Sequence, residues 1–505
     1  MSFLTPALSH TEVVLMLFRK RRIKCDEMKP TCQRCVAIGT PCGGYDTIRI
    51  AHAMATAGGD VRLTWQKPST MPAFSTSPEQ EAFDYFHKEC SRSLPGILQD
   101  SIWMYHVPQL ARTEPAVWHA AVALAYIGRP SRSGTTEGNR DALQQYGKAM
   151  ESLQPILTNL GKDNEKIILT VCLLFVAIGL QLGDEEQAKA HLQGGLKIVQ
   201  EQLESDVPAD SLTESLVDAF GRLDVQYAVT YWTRPKLNRG VNLTKDHAAA
   251  DTLSFHLIGE ANRILQLHMA AIRELRYISQ SKLLSPCGQS YDVFSENKTL
   301  QLKQLQILPR WEAAMQGFAS QLITVKDRQA VRLLQIHYFT CKTMLATCVG
   351  GHGSETIFHE HTADFEKLVA TAAIFVTTAD LAKEGGEHHI ASFSLDMGFI
   401  PSLYWAAVRC REPSVRHKAL SLLRRCEHRE GTWSGPAAAK AAEVIVSWEE
   451  KDLVVNTASE VPEVRRLHNA WFLVDGVGRV KVTCQQRCVE DEGRWIKRSQ
   501  WIELS

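Results

Sequence analysis

A chain of 505 residues with 45% apolar and 22% charged side chains has the composition of a globular protein able to bury a large core, and excludes a disordered or fibrous one. Its 56 basic residues balance 56 acidic ones, so there is no globally basic coat for nucleic acid, and any phosphate contact must come from a local patch. The length allows about three domains, or one large helical body with small appendages.

In chain order, the apolar stretch VVLMLF at Val13–Phe18 comes first. Positive charge follows it, the reverse of a secretory signal, and no export is expected. The sequons at Asn242 and Asn297 then read as chance matches. The basic run RKRRIK, Arg19–Lys24, holds five of the eight Lys and Arg residues found in positions 1–50. Taken alone, it reads more commonly as a nuclear-import signal or a solvated charge run than as a nucleic-acid contact, and import and DNA contact are compatible. Directly behind it stands Cys25-x6-Cys32-x2-Cys35-x6-Cys42, with Pro30 inside, so four of the 13 cysteines fall within 18 residues. Thiolates two residues apart can reach one tetrahedral zinc, and a segment this short would draw its folding energy from the metal. Four unliganded thiols in a polar loop are the alternative. The remaining cysteines are scattered, which suggests reduced thiols in an intracellular chain and no disulfide framework.

Residues 46–78 have linker composition, rich in small residues, Pro and Ser without a sustained period. Helical spacing dominates from Glu79 to about Asp452. Thr113-Glu114-Pro115 reads as a capped helix start, followed by AVWHAAVALAYI and stopped by Gly128. A polar break at 130–139 precedes a helix whose apolar stripe is Leu143, Tyr146, Met150 and Leu153. The apolar run Ile167–Leu180 is 14 residues, short of a bilayer span, and reads as a buried helix; no membrane association is expected. A further helix places Ala188, Leu192, Leu196 and Val199 on one face, and the acid-rich 384–387 segment reads as a loop. Trp118, Phe175 and Trp405 sit among apolar neighbours and read as core. No period of 20 to 50 residues marks a repeat solenoid.

The last fifty residues change character. Arg479–Cys484 alternates polar and apolar after Gly476 and Gly478, and Glu492-Gly493 offers a turn before Arg494-Trp-Ile496. This predicts a small antiparallel β meander, a lid that packs Trp471, Trp495 or Trp501 on the helices. The fold class is therefore mainly α: an N-terminal cysteine-rich segment, a linker, a large all-helical domain and a short C-terminal β meander.

The run RKRRIKCDEMKPTCQRCVAIGTPC resembles the DNA-binding motif of fungal binuclear zinc-cluster transcription factors, Cys-x2-Cys-x6-Cys, a proline-containing loop, then Cys-x2-Cys-x6-Cys. The resemblance makes Cys25, Cys32, Cys35 and Cys42 the third to sixth zinc ligands. The first two fall at Leu15 and Phe18, so one bridging and one terminal thiolate are missing. Two zincs belong to the intact motif; at most one is expected for this chain. The abrupt change from VVLMLF to RKRRIKC points to a mis-joined first exon; a single zinc on four thiolates and a metal-free regulator are the other readings. In the family the basic residues form a short helix in the major groove, which gives Arg21 and Arg22 to base edges, usually of a CGG triplet, and Arg19, Lys20, Lys24 and Arg34 to phosphates.

Stretches from AFDYFHKECSRSLPGI to CREPSVRHKALSLLRRCEHREGTW and the late WEE are similar to the fungus-specific transcription-factor domain that follows such clusters. Among these the REGTW block, Arg429–Trp433, is one of the more specific words. The resemblance implies an organisation of 1–18 outside the family pattern, 19–45 partial zinc cluster, 46–78 linker, 79–457 helical regulatory domain and 458–505 β-rich extension. It implies a nuclear, zinc-dependent, sequence-specific regulator of RNA polymerase II genes, partnered by double-stranded DNA and by transcription machinery or co-regulators. Residues 46–78 show no run of three heptads, so monomeric and homodimeric binding both stay open. A protein–protein regulatory module without autonomous DNA binding is the alternative.

Enzymatic readings fare worse. His359-Glu360-His361 and His388-His389 lack the spacing that would put ligands on one helix face and read as solvated histidines. There is no Walker loop, GxGxxG or GxSxG, and Cys484-x3-Cys488 reads as two ordinary thiols. No catalytic residues are expected.

Overall fold

The structure, a computed structural model, describes Pro72 and residues 75–504 apart from 99, 130–135, 159–160, 206–207, 238–252, 284–290, 323, 350–353, 386–391, 476–477 and 488–494. Among the described residues it is mainly helical, with a small three-stranded motif inside the helical body and a three-stranded sheet at the C-terminus. The mainly α expectation is met.

The N-terminal half is built around α2, Pro115–Gly128, reached through α1, Ser77–Tyr85, and a π-helical turn at Ile102–His106. Pro115 occupies the first turn, where the missing N–H would have no intrahelical partner. The N-cap is Glu114 without a side-chain bond, and Thr113 instead donates to the Leu110 carbonyl, so the cap expected of Thr113 is not made. Every residue from Ala116 to Ile127 is buried, the mark of a helix enclosed on all sides.

Around α2 lie α3, Thr136–Leu157, and α4, Lys162–Leu182. Helix α3 begins inside the expected polar break, and its buried face is Ala142, Gln145, Ala149 and Leu153. Leu143 is 62% exposed and Met150 also faces outward, whereas Leu153 is buried and Tyr146 packs on Phe175 at 4.2 Å, so two of the four expected stripe residues face the core. The departure follows from a polar network: Gln145 bonds His119 Nδ1 at 2.7 Å and donates to Glu79 Oε1 at 2.8 Å, so a polar residue takes the inward position. Helix α4 is long and apolar enough to cross a membrane by length and composition, but 67% of that stretch is buried inside the protein. It ends at Gly183, whose φ of +79° allows the left-handed cap.

Helices α5, Glu185–Leu203, and α6, Ser211–Tyr231, open on aspartate caps: Asp184 accepts from Gln187 N and Asp210 from Thr213 N. The face Ala188, Leu192, Leu196 and Val199 is buried as expected. At Gly195 a Cβ would overlap the Phe220 ring, so α5 and α6 approach at a distance only glycine permits. Helix α6 has residues in both hydrophobic cores, Phe220 and Leu223 in the first and Val225 in the second.

The second core is filled by α7, Ile258–Leu283; α8, Tyr291–Ala319; α9, Val325–Ala346; and α10, Thr362–Gly385. Because α10 runs to Gly385, Glu384 is helical, contrary to the expected loop. After β1, Phe393–Ser394, come α11, Ile400–Arg409, and α12, Pro413–Arg424. Then β2, Arg429–Glu430, pairs parallel to β1 and antiparallel to β3, Trp433–Ser434, and α13 spans Gly435–Glu450. Trp118, Phe175 and Trp405 are all core.

The C-terminal sheet is the expected meander: β4, His468–Val474; β5, Arg479–Arg487; and β6, Trp495–Glu503, antiparallel in chain order. Its contact with the helical core runs through Phe472. Phe472 is buried, 5.2 Å from both Tyr404 and Trp433, beside Val480, Val482 and Cys484. Trp501 is 46% exposed, with Arg479 and Lys481 over its ring.

The observed face of α3 leaves Leu143 outside the core and places Ala149 in it. Leu143→Ala should change stability by less than about 0.5 kcal/mol, whereas Ala149→Leu should cost about 1–3 kcal/mol by overpacking. Urea unfolding of the two variants measures both.

Candidate functional site

Cys25, Cys32, Cys35 and Cys42, and Arg19, Lys20, Arg21, Arg22 and Lys24, all lie outside the described residues. So do His388, His389 and Cys488. Among the described residues no group of three or more His, Cys, Asp or Glu is placed to hold a metal ion. His359 is not a solvated histidine: it is half-buried on a 3-10 helix, Glu355–His361, with its Nε2 2.6 Å from Arg466 Nη1. Glu360 is exposed, and His361 faces Asp364 at 3.9 Å. Burial pushes the Cys90, Cys341, Cys348 and Cys484 thiols up to about 12, the opposite of an activated nucleophile.

Arg466 belongs to a buried charge centre that the sequence reading missed. Helix α11 ends on Arg409, two residues before Arg411; α12 contributes Arg416, and α13 ends on Glu449-Glu450. Arg411 Nη2 and Nε bind the two Glu449 oxygens at 2.7 and 3.2 Å, a fork-on-carboxylate pair. Arg416 Nη2 donates to Glu449 at 2.6 Å and Nη1 to Glu450 at 2.8 Å. Glu355 takes Arg409 at 2.7 Å and Arg411 at 2.8 Å, while the Leu467 N–H donates to Glu449 at 2.7 Å. The side chains of Arg411, Arg416 and Glu449 are wholly buried.

Burial alone would raise the Glu449 carboxyl, but Arg411 and Arg416 outweigh it and hold the group down to about 2. Glu355 is likewise held well below the usual carboxylate range by Arg409, Arg411 and His468 against its own burial. His468 is pushed down to about 4, first by burial and then by Arg409 and Arg411, although Glu355 acts to raise it. The centre thus locks the ends of three helices to the first strand of the C-terminal sheet. A visible signal was the placing of Arg409 and Arg411 directly behind the apolar LYWAAV, followed by the late WEE.

The REGTW word forms a second joint. Glu430 accepts from the N–H groups of Gly398, Phe399 and Ile400 at 3.1, 3.1 and 2.9 Å, and from His428 Nε2 at 3.0 Å. These are donors at the start of α11, where a carboxylate also suits the helix dipole. Gly431 follows with φ +57°, and a Cβ there would overlap Gln226 on α6. Gln226 in turn donates to the Glu430 carbonyl at 3.3 Å. Glycine is needed for both the backbone and the close approach. The arrangement is a rigid frame that orients helices, and it presents no nucleophile–base pair.

The fungal specific transcription factor domain matches residues 81–457, and the fungal Zn(2)-Cys(6) binuclear cluster domain matches residues 19–49. The aspercryptin biosynthesis cluster-specific transcription regulator of Emericella nidulans is 22% identical, over 91% of this chain and 90% of its own length. A transcription regulator of Purpureocillium lilacinum is 25% identical over 42% of this chain and 56% of its own. A Zn(2)-C6 fungal-type transcription factor of Aspergillus fumigatus is 28% identical over 25% of this chain and 36% of its own. No solved structure matches.

Glu449→Leu removes the carboxylate that two buried guanidinium groups share and should cost about 3–5 kcal/mol in urea unfolding. The charge centre also sets an acid limit. His468 binds its proton more readily when unfolded, so its contribution is complete above about pH 6.5 and falls as pH drops toward about 4. Glu449 adds a second loss as pH falls from the ordinary glutamate range toward about 2. His468→Gln should flatten the stability–pH curve between about pH 6.5 and 4 by up to roughly 1.4 kcal/mol per pH unit, read from denaturant midpoints across that range.

Proposed function

Starting from a chain that belongs to the fungal specific transcription factor domain family and is a transcription regulator, we propose that it reads DNA through a zinc-held N-terminal segment and is regulated through its helical domain. The observation that carries this reading is the set Cys25, Cys32, Cys35 and Cys42 placed directly behind RKRRIK, within the residues matched by the zinc-cluster domain. Four thiolates are a complete tetrahedral donor set for one zinc, and the metal would supply the folding energy of a segment without a core. With the six-cysteine pattern intact, Arg21 and Arg22 would meet guanine edges of a CGG-type half-site, while Arg19, Lys20 and Lys24 neutralise phosphates. Residues 46–78 act as the linker, 79–457 as the regulatory body and 458–505 as its β extension. The protein works in the nucleus, on double-stranded DNA, with co-regulators recruited by the helical body.

One observation favours a second reading. Leu15 and Phe18 stand where the six-cysteine pattern has thiolates, so two of its six zinc ligands are missing. In that case the chain regulates through protein contacts without selecting DNA sequence.

The experiment separates the two. The unaltered chain should retain at most one zinc by elemental analysis and bind duplexes in a salt-sensitive, sequence-indifferent way. Leu15→Cys with Phe18→Cys restores the pattern and should bring two zincs and selection of CGG-containing over scrambled duplexes in gel shifts. In that background Arg22→Ala should cost roughly 1–3 kcal/mol at one guanine, and Lys20→Ala should lower the salt slope by about one for all sequences. A restored protein with two zincs and no selection would favour the protein-contact reading, and two zincs in the unaltered chain would overturn the one-zinc assignment.

A further inference from the structure

Helix α7 carries Arg273, Arg276 and Ser279 at intervals of three, so they share a face, and all are buried, at 2%, 4% and 5% exposure. Arg273 has an evident role. Its Nη2 donates to the Ala228 and Thr233 carbonyls at 3.0 and 3.2 Å, where α6 ends on Trp232 with φ +57°, and a cation suits the negative end of a helix. Arg276 has no such account. Its one hydrogen bond among the described residues is long, from Nη1 to the Thr347 hydroxyl at 3.4 Å. Otherwise the guanidinium meets indole: its Cζ lies 5.7 Å from the Trp232 ring centre and 4.9 Å from that of Trp405. An aromatic face softens the burial of a cation and does not replace a counter-ion.

The charge around Arg276 is mostly of its own sign. Arg273 shares the Trp232 ring at 5.2 Å and Arg409 the Trp405 ring at 5.3 Å. Glu355 acts on Arg276 but is already bound by Arg409 and Arg411. Burial first, then Arg409 and Arg273, push Arg276 down to about 9, as expected of a guanidinium short of negative charge.

A second, independent observation is the state of the donors. Arg273 Nε, Arg276 Nε and Ser279 Oγ are each buried without a hydrogen-bond partner. Unmade bonds of buried donors cost free energy that an acceptor would recover, and here three such donors lie on one helix face. The acceptor that suits them is a carboxylate. Arg411 already shows the geometry, gripping both Glu449 oxygens through Nε and Nη2, and the same edge of Arg276 bonds to none of the described residues.

We propose that Arg276, with Arg273 and Ser279 beside it, receives the carboxylate of a small organic acid. The Nε–Nη2 edge of Arg276 would take both oxygens, the Ser279 hydroxyl and Arg273 Nε would donate to the same group, and the carbon end of the acid would meet the indoles. Because Trp405 belongs to α11, neutralising the guanidinium over its ring acts on the helix that both joints hold. The inference rests on the regulatory reading of the helical domain and names the class of its effector. Its test uses no DNA, so its failure leaves the zinc and DNA reading intact, and the reverse holds too.

The test is calorimetric titration of the full chain with sodium propionate against neutral propionamide, at constant ionic strength balanced with sodium chloride. Propionate should bind saturably and at least about tenfold more tightly than propionamide, and should raise the melting temperature where equal added chloride does not. Arg276→Lys keeps the charge but loses the planar fork, and should weaken propionate at least about tenfold. Ser279→Ala removes only an unpartnered hydroxyl, leaves the protein folded, and should weaken propionate at least about threefold. Should Arg276→Lys fail to fold, Ser279→Ala decides. No saturable propionate binding up to tens of millimolar, equal binding of propionamide, an equal response to chloride, or undiminished binding by folded Ser279→Ala would each overturn the assignment.

Discussion

The pairing of Arg411 with Glu449 is the constraint on which the C-terminal half depends. A guanidinium and a carboxylate, both without water, are tolerable only because each has further partners: Glu355 for the arginine, and Arg416 and the Leu467 N–H for the glutamate. These partners come from four separated stretches of chain, so the centre is satisfied in only one arrangement of α11, α12, α13 and β4. Hydrophobic burial would hold the same helices together in many registers. The charge centre selects one.

Much of the body was legible because its helices obey simple rules. Helix α2 declares itself by Pro115 and an uninterrupted apolar run, and α5 by Ala188, Leu192, Leu196 and Val199 at helical spacing. The meander followed from alternation at Arg479–Cys484 and the glycines before it. Legibility failed where a polar residue is buried by a partner distant in sequence. Gln145 looks like a surface residue until His119 and Glu79 are placed beside it, and Arg411 looks like a helix-end charge until Glu449 arrives from 38 residues away. The same blindness hid His359, which looked like one of three exposed polar residues and is instead tied to Arg466. For the site, the cysteine spacing and the basic run were readable as chemistry from sequence alone, and the meaning of REGTW was not. Its glutamate and glycine become intelligible once β2 is seen holding the start of α11 and touching α6.

The two joints act on opposite ends of α11. Glu430 holds its first turn to β2, and Arg409 holds its last turn to Glu355. Between them Trp405 lies in the core with the Arg276 and Arg409 guanidinium groups over its ring, at 4.9 and 5.3 Å. A helix fixed at both ends transmits displacement as a rigid rod, since its interior has no spare rotamer space to absorb it. The regulatory body is better described as jointed levers than as a uniform globule.

The outer position of β6 bears on solubility. Along Arg479–Arg487 the middle strand finds partners on both sides, and β6 is one of the two edge strands of the sheet, the other being β4. Lys497 and Arg498 sit on the β6 margin, where charge discourages a second molecule from adding another strand. Shortening the chain at Arg487 would move the margin inward to β5, whose backbone on that side now pairs with β6 from Arg479 to Arg487. A truncation that removes only a surface ribbon would thus uncover a template for self-association, and the last ribbon of the fold serves as its guard rail against precipitation.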